Sequence, residues 1–199
     1  MARKQKPLLQ SIVIESIAAE GKALAHIDGK VLFVPQAIPG DVVDVQVTRS
    51  RRGYMEGYIT RQVTLSPHRI EPFCCHFGRC GGCKWQALPY PMQLKYKQQQ
   101  VEDQLVRIGR LDLPGILPIL GSDKTVEYRN KLEYTFSNRR WILKEEESES
   151  LSNKERYGVG FHISGMFDKV LDITKCHLQR EPTNALRLFV RDYALYHNL

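Results

Sequence analysis

Four of the five cysteines in the chain lie in one ten-residue run, Cys74-Cys75-His76-Phe77-Gly78-Arg79-Cys80-Gly81-Gly82-Cys83, and the fifth, Cys176, stands far downstream. Read from Cys74, the run is C-x5-C-x2-C; read from Cys75, it is C-x4-C-x2-C. Four thiolates satisfy a tetrahedral zinc ion or the four corners of an iron–sulfur cubane. The C-x2-C step lets Cys80 and Cys83 reach one centre without straining the backbone. Gly81 and Gly82 carry no side chains to block close approach, and their N–H groups are free to point at sulfur. Zinc ribbons usually carry two separated C-x2-C pairs. Three clustered cysteines with one remote partner therefore favour a four-iron cluster over zinc. In either case the remote ligand ties the loop to the element that carries Cys176. Disulfides are the competing use of these thiols and need an oxidising compartment. No apolar segment follows the basic start from Met1 to Lys6, so the expectation is a reducing, cytoplasmic setting.

These thiols must be positioned by the rest of a 199-residue chain, long enough for one ordinary domain or two small ones. A hydrophobic content of 42% and a mean hydropathy of −0.37 describe a chain able to bury a core. No apolar run approaches the length of a bilayer span, so a membrane protein is not expected. The net charge of +7 favours polyanionic partners.

Residues 8–65 read as short strands. Ser11 to Ile17 is a β-branched run. The segments from Ala23 to Ile27 and from Val31 to Val34 flank Asp28-Gly29, a two-residue hairpin signal. Val43, Val45 and Val47 alternate with Asp44 and Gln46, and Tyr54 to Ile59 follows a basic tip from Arg49 to Gly53. Five short strands in this space predict a small closed barrel of the oligonucleotide-binding kind. At the tip, Arg49, Arg51 and Arg52 offer phosphate-seeking guanidinium groups, while Tyr54 and Tyr58 offer flat faces for bases.

Beyond the cysteine run, Pro89 and Pro91 open a helix and Gly109 stops it, with Leu94, Val101, Leu105 and Ile108 as an apolar stripe expected in the core. Residues 112–123 read as a connector. Leu132, Tyr134 and Phe136 alternate with polar residues, and Trp141 to Leu143 continue the pattern. The charged stretch from Lys144 to Arg156 reads as a loop. Tyr157 to Ile163 and Met166 to Ile173 are strands joined across Ser164-Gly165, with Cys176 just past the sheet end. Glu181 to Asn198 is helical, with Leu186, Phe189, Val190 and Tyr193 on one side. The fold class is thus mainly β with α. It comprises a five-stranded barrel (1–68), a cysteine-rich loop (69–88), a helix and connector (89–124), an antiparallel β region (125–181) and a closing helix (182–199).

With these residues assembled, the chain resembles the N-terminal part of a bacterial RNA uridine-C5 methyltransferase dependent on S-adenosylmethionine. The barrel looks like a TRAM domain. The stretch from Cys74 to Gln86 is similar to that family's four-iron–four-sulfur motif, continued by Tyr90, Gln93, Leu94 and Lys97. Tyr128-Arg129-Asn130-Lys131, Gly160-Phe161-His162 and Asp172-Ile173 with Cys176 match in order. Trp85 replaces a smaller aliphatic residue, read as a packing variation. The resemblance implies Cys74, Cys80, Cys83 and Cys176 as cluster ligands and leaves Cys75 free. It implies large-subunit rRNA as the structured RNA partner, because the tRNA-modifying relatives generally lack barrel and cluster. Arg129 and Lys131 become candidate RNA contacts.

The family's cofactor-binding domain, cysteine nucleophile and carboxylate base all lie beyond this stretch. No glycine-rich turn here could cradle S-adenosylmethionine, since Gly158-Val-Gly160 sits inside a strand pattern. The chain alone is therefore expected to be an inactive, monomeric portion with no catalytic residue of its own. Two other readings stand beside this one: a complete zinc-binding nucleic-acid adaptor, and a cluster protein that handles electrons.

Overall fold

The computed structural model of the protein describes residues 6–143, 146, 156–163, 166–197 and 199. Most of the charged stretch 144–156 and the Ser164-Gly165 junction lie outside the described residues. The chain divides into two compact units. One is Met1–Glu71 with Lys84–Gly121, and the other is Pro72–Cys83 with Ser122–Leu199. The cysteine run thus belongs to the second unit, although its flanks belong to the first.

The first unit carries six strands: β1 (Leu8–Val13), β2 (Ser16–Ile17), β3 (Ala23–Ile27), β4 (Lys30–Val34), β5 (Val42–Ser50) and β6 (Tyr54–Thr64). They hydrogen-bond in the order β1-β5-β6-β4-β3-β2. Five strands were expected because Ser11 to Ile17 reads as one run. The run breaks at Ile14-Glu15 because its partner changes. Ile14 exchanges hydrogen bonds with Asp41 and Gly40, whereas the Glu15 amide donates to the Leu24 carbonyl at 2.9 Å. The two outermost strands are therefore successive in the chain, and no described ladder joins them into the closed barrel that was expected. Asp28 and Gly29 take φ of 48° and 73°, the left-handed pair a two-residue hairpin needs. Ile14, Leu32, Val34, Val43, Val45 and Val47 form the dry centre.

A polar knot closes this unit. The Asp41 carboxylate is fully buried and accepts from the amides of Ile38 and Ser66, each at 2.9 Å, and from the Arg69 guanidinium at 2.5 Å. It pins the chain leaving β6 to the turn before β5. Removing one partner of such a buried pair costs about 3–5 kcal/mol, because the other charge is left unpaired.

Asp44, which alternates with the core valines of β5, is not left to solvent. It is buried, and its carboxylate accepts from the Ser11 amide at 2.8 Å and from Arg61 Nε at 2.7 Å. Its partners on either side, Ser11 and Arg61, cover it, and the strand register shifts beside it.

Helix α1 (Tyr90–Glu102) starts after Pro89 and continues as a wider π turn over Asp103–Ile108, ending at Gly109. The apolar stripe expected in the core is not there. No residue of either segment is buried, and Val101 and Ile108 are 46% and 76% exposed. Glutamine amides fasten the helix instead. Gln93 Nε2 donates to the carbonyls of Trp85 and Leu88, and Gln100 Nε2 donates to the Ile17 carbonyl. Trp85 packs where Gly21, at φ 71°, has no Cβ, since an added one would lie 2.7 Å from the indole nitrogen.

The second unit holds an antiparallel sheet of β7 (Thr135–Ser137), β8 (Gly158–Ile163) and β9 (Met166–Asp172) in that order. Gly160 lies where a Cβ would come within 2.1 Å of the Leu171 carbonyl, so it serves strand pairing and not a phosphate loop. Leu132 and Tyr134 leave the strand pattern and pack on Leu171, Ile173 and Cys176. Helix α2 (Thr183–His197) does place Leu186, Phe189, Val190 and Tyr193 together, but all four are exposed. Its buried residues are Asn184, Arg187 and Ala194. Among the described residues no helix is long and apolar enough to cross a membrane.

The Ser11 amide first and Arg61 second hold the Asp44 carboxyl below its ordinary range. A carboxyl lowered in the folded state stabilises it above the unfolded-state pKa, and that contribution is lost as pH falls through the folded one. Acid titration of thermal stability should therefore be shallower for Asp44→Asn than for the parent; identical acid limbs would contradict this assignment.

Candidate functional site

Two turns build the centre of the second unit. The first is the cysteine run, folded on itself by hydrogen bonds from the Phe77 amide to the Cys74 carbonyl and from the Cys80 amide to the His76 carbonyl. The second is the segment after β9 that carries Cys176. His76 joins them. Its Nε2 accepts from the Thr174 amide at 3.1 Å and lies 3.0 Å from the Thr174 hydroxyl. Burial is the main cause that keeps this imidazole below its usual pKa, in keeping with an Nε2 that accepts a proton's hydrogen bond. Phe73 packs edge-on against His177 at 5.2 Å, and Cys80 forms a β-bridge with Ile163.

The thiols of this centre lie in one another's field. Burial pushes the Cys80 thiol up, and the charges of Cys83, Cys74 and Cys176 push it in the same direction. Cys74 is likewise raised by burial first, with Cys75 and Cys176 adding to it. Cys176 is buried, Cys74, Cys80 and Cys83 are half-buried, and Cys75 is exposed. The Gly82 amide points at Cys80 Sγ from 3.3 Å, as the glycine pair suggests.

Among the described residues no three His, Cys, Asp or Glu side chains are gathered closely enough to hold a metal ion. Thiolates on one zinc stand only about 3.8 Å apart, from a Zn–S bond near 2.3 Å. A cubane spreads its four thiolates over its corners, further apart than that. Four thiols within one another's field are a donor set that either guest accepts.

Several supporting residues were not foreseen. The Asn184 side chain clamps the Cys176 backbone, accepting from its amide at 2.8 Å and donating to its carbonyl at 3.1 Å. The Tyr134 phenol reaches Gln179 Oε1 at 3.2 Å and the Cys176 thiol, and burial and that thiol together raise its pKa. Arg187 lies under the same turn, donating to the carbonyls of Ile173 and Thr174. Asn184, Arg187 and Arg191 do form a helical stripe in the sequence, but a polar stripe is ordinarily assigned to water.

The nucleic-acid candidates fall in two places. Arg49, Arg51 and Arg52 are exposed around the three-residue tip between β5 and β6 in the first unit. Arg49 pairs with Glu56 at 3.7 Å and stacks 5.9 Å from the Tyr54 ring. Tyr54 is half-buried against Phe33, whereas Tyr58 is half exposed. Arg129 and Lys131 belong to the second unit. Both are exposed, Arg129 bonding the Lys131 carbonyl and Lys131 facing Glu133 at 3.5 Å.

Residues 9–60 match the TRAM domain. A protein of Bacteroides thetaiotaomicron described as an uncharacterized RNA methyltransferase is 54% identical over 182 residues, 92% of this chain and 40% of that protein. One of Porphyromonas gingivalis with the same description is also 54% identical, over 92% of this chain and 40% of its own length. By sequence, the chain belongs to this RNA methyltransferase family. It spans about two-fifths of the length of these family members. In fold it is similar to the Pyrococcus abyssi tRNA (uracil-54, C5)-methyltransferase solved with S-adenosyl-L-homocysteine. That likeness has a TM-score of 0.56 and 22% identity, and covers 96% of this chain and 38% of that one.

Asn184→Ala leaves the Cys176 amide buried without an acceptor, a loss of about 2 kcal/mol. Denaturant unfolding should show it, and hydrogen exchange should speed up at Cys176; protection equal to the parent would remove the clamp from this account.

Proposed function

We propose that this chain is the RNA-gripping, cluster-bearing portion of an S-adenosylmethionine-dependent RNA uridine-C5 methyltransferase working in the cytoplasm. The observation that supports the reading is that Cys74, Cys80, Cys83 and Cys176 lie in one compact unit, with Cys80 in the field of the other three, in a chain related to RNA methyltransferases. A four-iron–four-sulfur cluster on these thiolates would supply a covalent cross-link between the loop and the turn after β9. Cys75, exposed and outside that set, stays free.

In the whole enzyme a thiolate adds to uracil C6 and C5 takes the methyl group from S-adenosylmethionine. A base then removes the C5 proton, and the thiolate leaves as the C5–C6 double bond returns. Those groups, and the cofactor's seat, belong to the portion of the relatives that this chain does not span. The present residues hold the RNA. The target base must leave its stack, so the enzyme has to grip a folded, non-duplex shape. Arg49, Arg51 and Arg52 contact phosphates, Tyr54 and Tyr58 present faces to bases, and Arg129 with Lys131 adds a second contact. Large-subunit rRNA is the first candidate substrate. The likeness to the tRNA (uracil-54, C5)-methyltransferase makes tRNA the second, and binding measured to both RNAs separates them.

Two measurements test this reading. Protein prepared without oxygen should contain iron and acid-labile sulfide in similar amounts, and Cys176→Ser should lose them; stoichiometric zinc without sulfide would favour the adaptor. Arg51→Ala and Arg52→Ala should each weaken RNA binding and flatten the slope of log affinity against log salt by about one. Affinity unchanged across a salt series would move the RNA contact elsewhere.

A further inference from the structure

We propose that Arg187 is the buried counter-charge of the four-cysteine centre and that it raises the reduction potential of the cluster held there. The inference rests on the cluster reading above.

Arg187 is only 6% exposed. Its guanidinium donates to the Ile173 carbonyl, to the Thr174 carbonyl at 3.2 Å and to Asn184 Oδ1 at 3.3 Å, all neutral acceptors. Its Nε is buried with no hydrogen-bond partner. Among the described residues no carboxylate pairs with it. Asp172, the acid on the neighbouring strand end, is already taken: Oδ2 lies 3.0 Å from Arg191, and Oδ1 accepts from the Val159 amide. A formal charge buried among neutral dipoles costs several kcal/mol unless an anion meets it. An arginine does not escape that cost by losing its proton.

Beyond Asp172, among the described residues the four thiols are the potential negative charge in this unit closest to the turn that Arg187 fastens. As thiols the cysteines are neutral. As thiolates around a four-iron core they leave the assembly net negative. Two bridges connect Arg187 to that charge. Asn184 Oδ1 accepts from both the Arg187 guanidinium and the Cys176 amide. The Tyr134 ring lies 5.2 Å from the guanidinium carbon, and its side chain packs on the hydrophobic cluster that includes Cys176. Net charge and hydrogen bonding around the sulfurs are levers on cluster potential. A fixed positive charge favours the added electron, so its removal makes the cluster harder to reduce.

The competing role is a clamp that only fastens the Ile173 and Thr174 carbonyls. The test compares the parent with Arg187→Gln and Arg187→Lys, each reconstituted without oxygen. Iron and sulfide are assayed, and the midpoint potential is followed by electron paramagnetic resonance. Arg187→Gln should hold a cluster with a more negative midpoint, and Arg187→Lys, a point charge without the planar fork, should stay near the parent. Three equal midpoints overturn the counter-charge and leave the clamp. If Arg187→Gln holds no iron, loading restored by Arg187→Lys supports the charge, and loading that stays lost overturns it. A parent chain that takes up no iron or sulfide sinks the cluster reading itself, before any variant is compared.

Discussion

The second unit depends on bringing together two turns that lie about a hundred residues apart in the chain. His76 and Thr174, 98 positions apart, hydrogen-bond across that gap. Asn184 holds the Cys176 backbone from the opposite side, and Arg187 holds the two carbonyls before it. Closing so long a loop has an entropic cost that local contacts do not repay. Protein hydrogen bonds therefore supply part of the cross-link before any inorganic group is considered. A cluster bound by Cys74, Cys80, Cys83 and Cys176 would tighten a meeting that the polypeptide already prepares.

The same economy of polar contacts recurs in the first unit. Its strands enclose a valine-rich centre, but the chain leaving β6 is turned and held by one buried carboxylate, Asp41. Helix α1 is likewise held by glutamine amides, with none of its apolar residues fully buried. Polar fixings of this kind are directional, so they specify orientation more sharply than an apolar seam of equal area. The basic tip joins the two longest strands, with Arg51 and Arg52 exposed and Arg49 paired with Glu56.

The relatives and the fold bear on function at different levels. Kinship at 54% identity places the chain with RNA methyltransferases, and the TRAM match covers the stretch bearing the basic tip. The likeness to a tRNA enzyme speaks to architecture alone.

By itself the sequence determined the strand-and-turn character of both halves, the Asp28-Gly29 hairpin, the limits of α1 and the identity of the thiols. These follow from local rules: period-two alternation, proline and glycine geometry, and the spacing of soft ligands. Tertiary structure alone decided that Ile14-Glu15 splits a strand, that Asp44 is covered, that the α1 stripe stays out of the core, and that α2 buries Asn184 and Arg187 while Leu186 and Phe189 face out. Each of these outcomes hangs on a partner remote in the chain: Leu24 for Glu15, Arg61 for Asp44, Ile17 for Gln100, Cys176 for Asn184. Hydropathy along a chain records what a side chain prefers on average. It carries no record of a distant acceptor that makes burying a polar one favourable.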